Sequence, residues 1–181
     1  MGWLRAAAIG VLLAGCSGAP GEEESSTPAF PPAPQSSASS STVVPEGFSA
    51  VIIEVTAPDG STESFCVWLA DSAAERQRGL MEVTSLGGAA GMLFRFGTEQ
   101  SSSFWMRDTV LPLSLGFFTG AGEFVSAIDM DPCAAGVSCP LYDAAGPYAD
   151  GLEVPRGDLE ALGVGPGSRL TVTERSCSPS G

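Results

Sequence analysis

Residues 50–69 read AVIIEVTAPDGSTESFCVWL, and this stretch decides the fold. β-Branched residues dominate from Ala50 to Val55, which is typical of a strand. Pro58-Asp59-Gly60 then has the composition of a turn, and Phe65 to Leu69 forms a second strand-like run. We therefore predict a β-hairpin that begins a sheet.

Short strands and turns follow the hairpin. A helix is predicted after it, because Ser72 and Glu75 have the spacing of a capping box and Gly79 fits a C-cap. A second short helix is predicted from Arg156 to Leu162, ended by Gly163. Further strands are predicted at 91–96, 103–107, 113–118, 123–128, 151–154 and 169–173. These elements predict an α+β fold with a compact curved, mainly antiparallel sheet or partial barrel and two short helices.

The first residues have the layout of an export signal. Arg5 precedes an apolar run from Ala6 to Leu13, which is far shorter than the roughly 20 residues of a membrane-spanning helix. The string Leu13-Ala14-Gly15-Cys16 resembles the lipobox of bacterial lipoproteins. We predict a signal peptide over residues 1–15 and a diacylglyceryl lipid on Cys16, with palmitate as a typical acyl chain. An ordinary secretory signal is the alternative.

The segment 16–47 is predicted to carry the lipid and then act as a tether. After Cys16 it is rich in Ser, Pro, Gly and Ala and has few large apolar residues, so it cannot bury enough surface to fold. As a flexible coil it would span roughly 30 Å. A single globular domain over 48–175 and a tail over 176–181 complete the chain. We expect an exported protein anchored to the cell membrane or outer membrane and facing away from the cytoplasm, with the membrane as a partner.

The composition excludes several classes of chemistry. The net charge is −13, all eight basic residues are arginine, and there is no histidine. Histidine-dependent triads, histidine metal sites and lysine Schiff bases are therefore excluded. No basic face for nucleic acid is expected either. We predict a monomer with no cofactor and no nucleic-acid partner, whose acidity favours solubility.

Four cysteines remain once Cys16 is assigned to lipid. An even number in an exported protein predicts disulfides, and four cysteines allow three pairings. We favour Cys133–Cys139, which closes a short loop, and Cys66–Cys177, which joins an early strand to the C-terminal tail. A thiolate metal site is the alternative, although the spacing of Cys133 and Cys139 is wider than a zinc Cys-x-x-Cys.

Several motifs occur in a fixed order over roughly residues 64–173. They are Glu75-Arg76-Gln77-Arg78-Gly79-Leu80-Met81, Gly91-Met92-Leu93-Phe94-Arg95-Phe96, Phe104-Trp105-Met106-Arg107-Asp108-Thr109, Pro112-Leu113 and Leu152-Glu153-Val154. Together they resemble the domain-of-unknown-function 192 (DUF192) family. The resemblance implies a compact single domain, often exported or lipid-anchored, and no established activity.

Three positions depart from the family pattern. Ser114 stands where the family usually has an aspartate after Pro-Leu, and Arg107-Asp108 replaces its usual Lys-Asn. A site that used the missing aspartate is in doubt here, unless Asp108 supplies the carboxylate instead.

The richest mixed cluster lies around Trp105. On a strand, Trp105, Arg107 and Thr109 would share one face, and Asp108 would point to the other. Stacking on Trp105 with Arg107 on a carboxylate or phosphate would make a small-ligand pocket. The alternative is core packing and a structural ion pair. The full set of candidate ligand-binding residues is Trp105, Arg107, Asp108, Thr109, Arg76, Tyr142 and Glu153.

Two roles are possible for each of Arg76 and Tyr142. Arg76 is expected to pair internally with Asp108 or Glu153 rather than with a ligand. Tyr142 belongs to a proline- and tyrosine-containing loop beside the expected Cys133–Cys139 disulfide. Such a loop either rims a binding site or covers a sheet edge.

Three functions remain open. The leading hypothesis is an envelope binding or accessory domain on a lipid tether, with a small molecule or envelope component as ligand. A carboxylate-dependent hydrolase of envelope glycan would need two acidic side chains in one cleft. A Cu(I)-handling protein would use thioethers and cysteine, and core packing is the alternative role of the methionines Met81, Met92, Met106 and Met130.

Overall fold

The computed structural model describes residues 44–179, which lie in one compact unit. The predicted signal peptide, Cys16 and the tether up to residue 43 lie outside these residues. The elements are β1 (Ser49–Thr56), β2 (Thr62–Ala70), α1 (Ala73–Arg78), β3 (Met92–Gln100), β4 (Phe104–Trp105), β5 (Leu113–Phe118), β6 (Phe124–Met130), β7 (Leu141–Tyr142), β8 (Tyr148–Pro155) and β9 (Arg169–Ser176).

Seven strands form one open mixed sheet in the order β6-β5-β8-β3-β2-β1-β9, and β4 pairs with β7 in a separate ribbon. The first hairpin is present as predicted, with Val51 opposite Val67. The β2–β3 pair is parallel, because α1 and the loop after it carry the chain back across the sheet. The remaining pairs are antiparallel. The prediction of a sheet-dominated fold is confirmed, but the sheet does not close into a barrel.

The sheet curls until its two edges touch at one end. Glu123, just before edge strand β6, forms an isolated bridge with Arg169 at the start of edge strand β9. The backbone N–H of Leu170 donates to the carbonyl of Gly122 at 2.8 Å, and that of Phe124 donates to Ser168 at 3.2 Å. Among residues 44–179, the backbone hydrogen bonds between these two edges are limited to this corner.

The prediction of two helices is wrong, since α1 is the single helix among residues 44–179. The residues after Pro155 form successive turns instead. Gly157 takes a φ of +90°, which lies outside the helical region, and isolated hydrogen bonds such as Leu162 N–H to the Asp158 carbonyl replace a continuous ladder. Leu159 is buried, so this segment covers the core without being helical.

Strand alternation places a hydrophobic core on each side of the sheet. Met92 and Phe94 of β3 belong to the first core, whereas Leu93 between them belongs to the second. On β8, Leu152 and Val154 point into the second core. Helix α1 and the β4–β7 ribbon lie over the first face, and between them they leave a pocket.

Both favoured disulfides are present. Cys66 of β2 is bonded to Cys177 and thereby spans 111 residues of sequence. The Cys133–Cys139 disulfide closes a short loop, since the two cysteines are six residues apart in sequence. Within residues 44–179, no helix has the length and hydrophobicity needed to cross a membrane.

Candidate functional site

A half-open pocket of about 220 Å³ lies over the first face of the sheet. Strands β3 and β8 contribute Phe94, Phe96, Tyr148 and Glu153. The end of α1 and the residues that follow it form one wall, and the segment 102–109, which contains β4, forms the other. The lining residues are Arg76, Gln77, Arg78, Gly79, Leu80, Met81, Phe94, Phe96, Ser102, Ser103, Phe104, Trp105, Arg107, Thr109, Tyr148 and Glu153.

Aromatic rings make up much of the pocket surface. Phe104 lies at their centre, with its ring centroid 5.2 Å from Phe94, 6.1 Å from Phe96 and 6.0 Å from Tyr148. The close approach of Phe104 to β8 requires glycine at position 151, because a Cβ atom there would lie 2.8 Å from the ring. The Tyr148 hydroxyl donates to the Ser102 carbonyl at 2.6 Å, which joins the strand to the far wall.

Trp105 and Arg107 meet at the pocket rim. The guanidinium carbon of Arg107 lies 4.5 Å from the centre of the Trp105 ring, a cation–π distance. Trp105 is 40% exposed. The Arg107 side chain donates no hydrogen bond to any residue between 44 and 179, so its N–H groups remain available to a ligand.

Arg76 and Arg78 reach the pocket from helix α1. The Arg76 guanidinium lies over the Phe96 ring and donates to the carbonyls of Asp71 and Arg95. The expectation that it pairs with Asp108 or Glu153 is therefore wrong: backbone carbonyls near its own helix take its donors. Arg78 stacks on Phe48 at 5.0 Å from the ring centre and donates to the Glu46 carbonyl at 2.7 Å.

The pocket arginines differ from the other arginines of the domain in their partners. Arg95, Arg156, Arg169 and Arg175 each have a carboxylate within 4.0 Å. Arg76, Arg78 and Arg107 have none among the described residues. In a chain of net charge −13, three arginines without a carboxylate partner thus gather around one pocket.

Glu153 is the single acidic residue in the pocket lining. It is 4% exposed, and burial raises the pKa of its carboxyl to about 8. Its cross-strand neighbours are Met92 of β3 and Leu115 of β5, neither of which can donate to it. The carboxyl has no hydrogen bond or ion pair with any described residue.

The structure brings five of the seven candidate residues to the pocket: Trp105, Arg107, Thr109, Arg76 and Glu153. Asp108 and Tyr142 do not line it. Tyr142 is buried beside Phe104, and its hydroxyl accepts from the backbone N–H of Asp131 at 3.1 Å. It therefore supports the wall from behind.

The strand predicted over 103–107 is shorter in the structure, because the chain turns at Asp108. The backbone takes a φ of +55° at Asp108, so the chain turns there, and β4 is limited to two residues. The Asp108 carbonyl accepts from the backbone N–H of Glu82 at 2.8 Å, while its Oδ1 atom is buried without a hydrogen-bond partner. Trp105 and Arg107 stack before this turn and Thr109 follows it, and all three line the pocket.

The short disulfide loop braces the same wall. The backbone of Cys133 forms isolated β-bridges with both Arg107 and Thr109, and its N–H donates to the Thr109 carbonyl at 3.1 Å. The Cys133–Cys139 bond therefore holds the segment that presents Arg107 to the pocket.

Sequence reasoning missed several pocket residues, chiefly Arg78, Phe94, Phe96 and Tyr148. The alternation Phe94-Arg95-Phe96 was a usable signal, because it places both rings on one face of a strand. Tyr148 carried no such signal, since it lies at the start of β8 beyond an irregularity in the pairing with β3.

Metal chemistry and paired-carboxylate chemistry find little support in this geometry. Between residues 44 and 179, no three His, Cys, Asp or Glu side chains come together as a metal site. Met81 lines the pocket, whereas Met92, Met106 and Met130 are buried in the core. Asp143 accepts from Ser103 at 2.5 Å near the pocket edge, but it does not line the pocket with Glu153.

Known proteins resemble this chain in sequence and in structure. The DUF192 family model, described as "Uncharacterized ACR", matches residues 54–172. A crystal structure from Sinorhizobium meliloti, described as a "putative transcription regulator", is 29% identical with a TM-score of 0.60, covering 69% of this chain and 95% of that one. A protein of unknown function from Novosphingobium aromaticivorans is 31% identical with a TM-score of 0.60, covering 70% and 87%. A comparison with curated proteins gave no match.

Proposed function

This chain belongs to the DUF192 family, and we propose that it is an exported, lipid-anchored protein whose pocket binds a small anionic molecule. One observation carries the anion: Arg76, Arg78 and Arg107 lack the carboxylate partners that the other described arginines have. A guanidinium presents its donors in a planar fork that matches carboxylate and phosphate. The aromatic rings between the arginines would contact the apolar body of the ligand.

Export and anchoring are supported by the N-terminal sequence and by the cysteines. The lipobox-like string ends at Cys16, and the four cysteines of the domain form two disulfides, as expected in an oxidising compartment. The domain would then present its pocket to solutes of the cell envelope.

The geometry favours binding over the alternative functions. Hydrolysis of a glycan by paired carboxylates needs a second acid in the cleft, and Glu153 has no acidic neighbour in the pocket lining. A soft copper site would need thioethers or thiolates that converge. The methionines do not converge in the pocket, and the domain cysteines are bonded to each other.

Arg107→Gln tests the anion site. We expect it to weaken the binding of hexanoate about tenfold, because a charge-assisted hydrogen bond is lost. Binding of 1-hexanol, which has the same chain without the charge, is expected to be unchanged. Isothermal titration calorimetry on the full chain in detergent measures both.

Arg175→Gln is the matched control, since Arg175 is exposed, pairs with Glu54 at the β9 edge of the sheet, and does not line the pocket. Anion binding at the pocket is refuted if hexanoate binds no better than 1-hexanol to the wild-type protein, or if the two arginine variants behave alike.

Cys16→Ala tests the anchor. We expect the variant to incorporate no radiolabelled palmitate in cells, because the only acylated thiol is removed. The variant Cys133→Ala/Cys139→Ala is the control and is expected to retain the label. Incorporation of palmitate into the Cys16 variant would contradict the proposal.

A further inference from the structure

The carboxyl of Glu153 faces the pocket without a partner. It is 4% exposed, lies between Met92 and Leu115 in the sheet, and accepts no hydrogen bond from a described residue. Among the described residues, the side-chain atoms that are fully buried without a partner belong to Gln100, Asp108 and Asp150, whereas the Glu153 oxygens keep access to the pocket. A ligand group in the pocket could therefore pair with this carboxyl.

The surroundings of Glu153 suit a cation. Phe94 lies opposite Gly151, which places its ring beside Glu153 on the same face of the sheet. The absence of a side chain at Gly151 lets the Phe104 ring approach as well. Aromatic rings attract ammonium groups, and a neighbouring carboxylate adds a direct ion pair.

The opposite charges occupy different parts of the pocket. Arg76 and Arg78 enter from helix α1 and Arg107 from the rim, whereas Glu153 is buried on β8. None of the three guanidinium groups forms an ion pair with Glu153. A ligand with two ends of opposite charge could therefore satisfy both kinds of group at once.

We infer that the ligand is a small zwitterion, whose ammonium group pairs with Glu153 among the aromatic rings while its carboxylate or phosphate binds the pocket arginines. This inference rests on the proposed anion binding and adds the second recognition element. It identifies Glu153 as a ligand-binding residue and restricts the ligand class to amino acids and similar zwitterions.

Proton release gives the inference a distinct signature. In the free protein the pKa of Glu153 is about 8, so the carboxyl is mostly protonated at pH 7. An ammonium ligand requires the ionised form, and binding at pH 7 would expel close to one proton at a cost of about tenfold in affinity. The other charged or titratable groups in the pocket are Arg76, Arg78, Arg107 and Tyr148. Arginine does not titrate near neutrality, and burial raises the pKa of Tyr148 to about 12, so the released proton would come from Glu153.

Matched alkyl probes test the zwitterion by calorimetry on the full chain. The probes are 6-aminohexanoate, hexanoate and hexylamine, with 4-aminobutyrate and 8-aminooctanoate to vary the span between the charges. We expect the best ω-amino acid to bind at least about tenfold tighter than hexanoate. Titrations at pH 7 in two buffers of different ionisation enthalpy should show release of about 0.9 proton with the amino acid and none with hexanoate.

Glu153→Gln should reduce the affinity for the amino acid to that for hexanoate and abolish proton release. The inference is overturned if no ω-amino acid binds tighter than hexanoate, or if its binding releases no proton from the wild-type protein. The second readout needs no variant, so it decides the question even if Glu153→Gln fails to fold. A protein that binds hexanoate through Arg107 but gains nothing from the amino group retains the proposed anion binding and loses only the zwitterion. A protein that binds hexanoate no better than 1-hexanol loses both.

Discussion

The wild-type protein is expected to lose about 3 kcal/mol of unfolding free energy between pH 6 and pH 9, and the variant Glu153→Gln is expected to show no such loss. Burial raises the pKa of this carboxyl from its ordinary value of 4.5 to about 8. Above pH 6 the unfolded chain has already released this proton, whereas the folded protein keeps it until the pH passes about 8. The unfolded state therefore binds fewer protons, and stability falls as the pH rises through this window. Glutamine has nearly the same shape and never ionises.

The composition of the chain leaves few other groups that could change the stability between pH 6 and pH 9. There is no histidine and no lysine, the domain cysteines are disulfide-bonded, and the pKa of Tyr148 is raised by burial to about 12. Burial also raises the pKa of Asp150, to about 6, so its effect on stability is nearly complete before pH 7. Asp150→Asn is thus the matched control and should alter the profile at the acid end alone.

Urea unfolding at pH 6, 7, 8 and 9 measures the effect for the wild type and both variants. A wild-type stability that stays level from pH 6 to pH 9 would contradict the buried, unpartnered state of Glu153. The same contradiction would arise if the Glu153→Gln variant lost stability as steeply as the wild type.

Removing the Cys66–Cys177 disulfide is expected to lower the unfolding free energy by about 4–5 kcal/mol. The bond spans 111 residues, and the entropy that a crosslink removes from the unfolded chain grows with the logarithm of the closed loop. Because a domain of this size is stable by about 5–15 kcal/mol, such a loss approaches the whole margin. The double variant Cys66→Ala/Cys177→Ala avoids a free thiol that could mispair.

The second disulfide gives an internal comparison. Cys133 and Cys139 are six residues apart, so the same relation predicts about 2 kcal/mol for their double alanine variant. Guanidinium unfolding of the two variants beside the wild type measures the difference. Equal losses in the two variants would show that loop entropy does not govern the contribution of these bonds.

Local sequence signals predicted much of the fold. The β1–β2 hairpin followed from its strand runs and the Pro58-Asp59-Gly60 turn, and the start of α1 followed from the capping box, in which Ser72 and Glu75 bond each other's backbone N–H groups. Both disulfides were predicted from the cysteine spacing. Each of these features depends on residues that are close in sequence or on simple counting.

The predictions failed where tertiary structure overrides the local secondary-structure preference of the residues. The stretch Arg156–Leu162 has the composition of a helix, but Gly157 at a φ of +90° and the burial of Leu159 hold it in turns. The turn at Asp108 likewise ended a strand that the residue types favoured. Nothing in the sequence shows that Glu153 lacks a partner, because this depends on Met92 and Leu115, which lie far from it in the chain.

The curl of the sheet bears on how the protein would behave at high surface density. A lipid anchor would confine many copies to one plane, where exposed strand edges could pair between neighbouring molecules and aggregate. At one corner, the bonds of Gly122 to Leu170 and of Phe124 to Ser168 already use backbone groups of both edges within the same molecule. The edge strand β9 also carries Arg169 and Arg175, each held in an ion pair. At this corner the edges are therefore unavailable to a neighbouring copy, and the ion-paired arginines would oppose pairing along the rest of the β9 edge.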